Sequence, residues 1–112
     1  MNAQTIQTRA QNGARILDLR YPGWADRIDV DSLDFPSIYR CVLGQVFETY
    51  HEGMKAIWGL TTFSKEPERW RRLANQNGFD VPDSIHENQE AFYFDTLTAE
   101  WKRLVRARQE QS

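Results

Sequence analysis

The stretch PSIYRCVLGQVFETYHEGMKAIW, residues 36 to 58, decides how the rest of the chain is read. Ile38, Val42, Val46, Thr49 and Gly53 recur at helical spacing along one face, and Leu43, Phe47, Tyr50, Met54 and Ile57 along the face beside it. A helix apolar over so much of its circumference is surrounded by other helices. The spacing therefore predicts one helix over 36–58 at the centre of an all-α fold. Pro36 suits a first turn, Asp34 can cap it, and Gly59 can end it in the left-handed conformation. Within the run, Gly44 lets a neighbouring helix or ring approach the backbone, with the PGW segment (22–24) the expected neighbour. Gln45 is placed to hydrogen-bond inside the bundle or across an interface.

Working outward, Ile6, Ala10, Gly13, Ile16 and Leu17 mark an amphipathic helix over about 4–19, stopped by Pro22-Gly23. Gly13 costs that helix up to about 1 kcal/mol relative to Ala, and residues 1–5 and 110–112 are expected to fray. Residues 24–36 read as an ordered connection with one short helical turn, packed onto the central helix by Tyr21, Trp24 and Phe35. A third helix starts near Ser64, with Pro67 in its first turn and Trp70, Leu73 and Ala74 as its stripe, and stops at Asn77-Gly78. Residues 79–84 form a loop. AFYF within 85–96 has no partner strand, so a helical or irregular lead-in is expected there. The last helix, about 96–109, turns Leu97, Trp101, Leu104 and Val105 inward. The expectation is a single domain over 1–112, a compact bundle of about four helices.

The chain has 112 residues, 40% hydrophobic and 27% charged, with a net charge of -2. That is ordinary globular composition, and the net charge argues neither for nor against a charged partner. One cysteine excludes an internal disulfide and suits a reducing cytoplasm. The amino terminus has no apolar core of signal-peptide length, and no stretch approaches the roughly 18 apolar residues of a membrane span. Four Trp, four Tyr and six Phe are a generous aromatic supply for a core, or for anchors to a partner.

Cys41, one turn into the 36–58 helix, needs a base within reach to act as a nucleophile. On a continuous helix His51 lies about 15 Å further along the axis, so Cys41 reads as a small buried hydrophobe. His86 could approach it only through tertiary folding. Glu48, His51 and Glu52 share a helix face, but Glu-x-x-His is half of a di-iron pattern and has no second copy; Asp83-x-x-His86 lies in a loop. HEGMK is not the zinc-protease HExxH. DRIDVDSLD invites a calcium reading, yet counting from Asp29 puts Leu33, Asp34 and Arg40 at loop positions 5, 6 and 12, where oxygen, glycine and glutamate belong. No catalytic residue, metal or cofactor is assigned.

Arg69, Arg71 and Arg72 stand beside Trp70, and Lys102, Arg103, Arg106 and Arg108 follow Trp101, a combination seen in nucleic-acid binding. Residues 65–112 nevertheless hold nine acidic side chains against eight basic ones, so no net basic field exists there.

The blocks ARILDLRYPGWADRIDVDSLDF, CVLGQVFETYHEG, NGFD and LTAEWKRLV, together spanning about 14–106, resemble a group of small uncharacterised proteins of actinobacteria and their bacteriophages. The PGW and CVLGQ blocks are the most specific parts. The resemblance implies a cytoplasmic or phage-encoded accessory protein and carries no activity, cofactor or catalytic residue. The leading expectation is a non-enzymatic protein that acts through protein–protein contact with a host protein or with itself. Trp58, Trp70, Arg69, Arg72, Arg103 and Arg106 are its candidate contact residues. The alternative is a nucleic-acid-binding helical domain using the basic side chains of the 64–77 and 96–109 helices.

Overall fold

The computed structural model of the protein describes residues 2–82, 85 and 87–111. Among the described residues five α-helices follow in order: α1 (Ala3–Arg20), α2 (Val42–Phe47), α3 (Tyr50–Trp58), α4 (Pro67–Gln76) and α5 (Glu87–Glu110). No strand occurs among the described residues, so the all-α bundle stands. Its radius of gyration is 13.2 Å, the value of a compact chain of this length.

The expected central helix over 36–58 is not one helix. Glu48 adopts φ 81°, which no α-helix accommodates, and the chain restarts with Thr49 as the N-cap of α3. Thr49 Oγ1 accepts from the Glu52 amide at 3.1 Å, satisfying a donor that a helix start leaves open. The other end is shorter too. Residues 36–40 form turns in which Ser37 Oγ accepts from the Tyr39 and Arg40 amides. Cys41, not Asp34, caps α2, its Sγ accepting from the Gly44 amide at 3.4 Å. The two apolar faces read as one helix are therefore the inner faces of two short ones packed together. The Tyr50 amide donates to the Ile38 carbonyl at 2.8 Å, folding α3 back beside the start of the segment.

The centre of the bundle is the pair α1 and α5. Trp101 is its middle, fully buried, with Phe79 stacked on it at 5.4 Å, Phe35 at 6.2 Å and Trp24 edge-on at 5.9 Å. Trp24 and Phe35 thus pack the 24–36 connection against α5, while Tyr21, edge-on to Phe47 at 5.0 Å, and Arg27, donating to the Val46 carbonyl, join it to the 36–58 segment. The connection contains two 3-10 turns, Trp24–Arg27 and Val30–Ser32. The Trp101 indole donates to the Gly78 carbonyl at 2.7 Å, so the ring's one polar atom is satisfied.

Local chemistry explains the remaining boundaries. Helix α1 begins at Ala3 because Asn2 Oδ1 accepts from the Thr5 amide at 2.9 Å, and Ile6 is already fully buried. Gly59, at φ 64°, ends α3 in the left-handed conformation. Helix α4 starts at Pro67 with Glu66, not Ser64, at its cap position. Helix α5 begins at Glu87, nine residues before the expected start, so AFYF is helical.

Gly44 and Gln45 both have specific work. A Cβ at Gly44 would lie 2.5 Å from the Ile38 carbonyl oxygen, so the glycine admits the 38–39 backbone rather than the PGW segment. Gln45 Oε1 accepts from the Asp29 amide at 2.6 Å while its Nε2 donates to the Asp29 and Arg40 carbonyls.

Candidate functional site

A concavity opens at the start of α3, just after the break at Glu48. An open groove of about 630 Å³ lies between the 35–41 turns, the start of α3 and the first turns of α5. Its floor and walls are apolar, formed by Phe35, Ile38, Phe79 and Phe94, with Cys41 and Tyr50 between them. Polar groups stand around this surface: His51, Asp80, Glu87 and Glu90. Ile38, 40% exposed, opens the groove onto the surface, and Tyr39 beside it is 64% exposed. Volume and lining are those of natural binding pockets, roughly 300–1,000 Å³ and mainly apolar.

His51 is exposed at one end, its ring 5.4 Å from that of Tyr50 and 5.8 Å from that of Trp70. Tyr50 Oη donates to Asp80 Oδ2 at 3.5 Å, and Asp80 Oδ1 accepts from the Val81 amide at 2.8 Å. A second concavity of about 270 Å³ lies beyond this Tyr50–His51–Asp80 wall, lined by Phe63, Trp70, Arg71 and Asn75. The Arg71 guanidinium sits over the Phe63 ring at 5.1 Å.

Cys41 and His51 both line this groove, from two short elements rather than from one straight helix. A shared groove does not make the thiol a nucleophile. Cys41 is 2% exposed, and desolvation by burial, partly offset by the Gly44 amide, pushes its pKa up. A thiol held protonated is inert at neutral pH. Glu48 is exposed at the helix break and is not among the groove's lining residues. Among the described residues no three His, Cys, Asp or Glu side chains are grouped to hold a metal ion. Asp83 and His86 lie outside the described residues.

The expected contact residues fall elsewhere. Trp70 is a core residue, 1% exposed, with its indole donating to the Thr61 carbonyl, so it presents no surface to a partner. Trp58 is half-buried, edge-on to Phe79. Arg69 pairs with Glu66 at 3.2 Å and Arg103 with Glu100 at 2.6 Å. Glu100 is buried and held below the usual carboxylate range, first by its hydrogen bond from Arg103 and then by that from Gln11. Arg72 and Arg106 are exposed. With Trp70 and Trp101 both internal, neither basic cluster has its neighbouring indole available as a stacking platform for bases.

The groove residues Phe35, Ile38, Phe79, Glu87, Glu90 and Phe94 were not singled out from sequence. One local signal pointed to them: Thr49-x-x-Glu52 is the pattern of a helix start, and reading it breaks the helix where the groove opens. In comparisons with known proteins, the chain matches no family model, no curated protein and no solved structure. No helix among the described residues is long and apolar enough to cross a membrane.

Proposed function

We propose that this is a small non-enzymatic accessory protein of the cytoplasm that acts by protein–protein contact, its groove receiving an apolar segment of the partner. The observation that carries the reading is the open, aromatic-lined groove of about 630 Å³ whose edge continues into exposed Ile38 and Tyr39. An apolar surface open to water is costly to keep unless something covers it, and such surfaces mark interaction sites. The protonated, buried thiol supports binding over chemistry at the same place.

The test compares three variants in affinity capture from a lysate of the source cells. Ile38→Glu places a charge at the groove edge, Ala91→Trp fills it, and Leu19→Glu alters an exposed apolar residue outside its lining. The reading requires a captured protein that is lost with the first two variants and kept with the third, all three retaining wild-type circular dichroism. Capture indifferent to Ile38 and Ala91 would sink it.

A further inference from the structure

We propose that the partner segment is a basic amphipathic helix, its apolar side chains in the groove and its Lys or Arg side chains against Glu87 and Glu90. This rests on the docking role argued above and names the chemistry of the occupant.

One wall of the groove is a helix face. Glu87, Glu90, Ala91 and Phe94, spaced at three, four and seven, all line it. This end of α5 is little covered by the bundle, residues 87–92 all being exposed. Ala91 at the middle of that face leaves room for another backbone to come close. The apolar wall opposite, with Phe35 and Ile38, completes a trough of the kind that accepts an amphipathic helix by its i, i+3, i+4 and i+7 side chains. No strand occurs among the described residues to offer an edge for an extended peptide.

The charge around the trough is one-sided. Glu87 and Glu90 stand exposed on the α5 wall, and no Lys or Arg is found among the described lining residues. Of the cations beside it, Arg40 pairs with Asp34 at 3.1 Å, and Arg71, across the Tyr50–His51–Asp80 wall, lies over the Phe63 ring at 5.1 Å. Carboxylates at the edge of an apolar site steer and select an occupant more than they hold it. Lys or Arg flanking the apolar stripe is the complement; a nucleic acid or an anionic lipid surface meets repulsion at this face.

The test is selection from a random-peptide display library on the wild-type protein, followed by fluorescence anisotropy with synthetic copies of the enriched peptides. The variants are Ala91→Trp, the pair Glu87→Gln with Glu90→Gln, and the pair Glu87→Lys with Glu90→Lys. Peptides sensitive to Ala91→Trp should carry an excess of Lys and Arg beside apolar residues spaced at three and four. They should weaken with the Gln pair and by roughly tenfold or more with the Lys pair, and less so at high salt, where screening has already weakened the attraction. Peptides sensitive to Ala91→Trp but lacking that excess, or indifferent to both charge variants, overturn the basic occupant and leave the docking role standing. If no enriched peptide responds to Ala91→Trp, the docking role falls and this inference with it.

Discussion

Arg108 holds Asp18 with two nitrogens, Nε at 2.8 Å from Oδ1 and Nη2 at 2.7 Å from Oδ2, joining the end of α1 to the end of α5. Asp18 Oδ1 also accepts the Trp24 indole N–H at 2.9 Å, and the Arg108 guanidinium lies over the Trp24 ring at 5.7 Å. Both long helices and the connection between α1 and α2 therefore meet at one carboxylate.

That junction makes acid stability depend on Asp18. The hydrogen bond from Arg108, more than that from Trp24, holds its carboxyl below the usual value of 3.8, against the opposing effect of burial. The folded pKa being the lower one, the stabilisation is present above about pH 4 and is lost as the pH falls through the unfolded and then the folded value. Asp18→Asn should lower stability at pH 7 by no more than about 1 kcal/mol, because the carboxylate is 42% exposed and solvent screens the pair. Its thermal midpoint should then fall less between pH 5 and pH 3 than that of the wild type. Parallel slopes in a thermal melt series would remove Asp18 from the account.

Gly13→Ala should reverse the usual helix rule. Alanine inside a helix ordinarily gains about 1 kcal/mol over glycine. Here its Cβ would lie 2.1 Å from the Asn77 carbonyl oxygen and 3.0 Å from the Trp101 ring. Backbone on a packed surface cannot swing aside, so a net loss of roughly 1–3 kcal/mol is expected. Urea denaturation measures it directly, and a gain in stability would show that the 77–79 loop does not cross α1 so closely.

Cys41 should resist alkylation. Burial holds the thiol protonated, so iodoacetamide at pH 7 should react roughly tenfold or more slowly than with the same thiol in denaturant. The folded pKa being the higher one, stability should fall as the pH rises past the unfolded thiol value of about 8.5. Labelling as fast as that of a free thiol would reopen the pairing with His51 as chemistry.

Most of the bundle was legible because its signals are local. Pro22-Gly23, Gly59 and Pro67 punctuate the chain where helices end or begin, and Ile6, Ala10 and Leu17, like Leu97, Trp101 and Val105, mark their stripes by spacing alone. Spacing was insufficient at 36–58, where two apolar faces on one helix and one face on each of two helices produce the same pattern. What separates them is the backbone at Glu48, where a glutamate carries no preference for a positive φ, and the short Thr49-x-x-Glu52 start signal that follows it. The groove was illegible for the same reason, since its walls come from segments as far apart as Phe35, His51 and Phe94, brought together by that turn. Trp70 beside three arginines illustrates the opposite error, in which a surface pattern surrounds a core residue.

The pairing of α1 with α5 also bears on how the chain is made. Hydrogen bonds from Arg9 to Tyr93 and from Arg108 to Asp18 span 84 and 90 positions. A ribosome adding about 5–20 residues per second delivers the second half of each pair about 4 to 18 seconds after the first. For that interval the Ile6, Ala10 and Leu17 stripe has no α5 to cover it. The nascent chain therefore waits with an uncovered helix face, and chaperone capture or early aggregation would begin at α1.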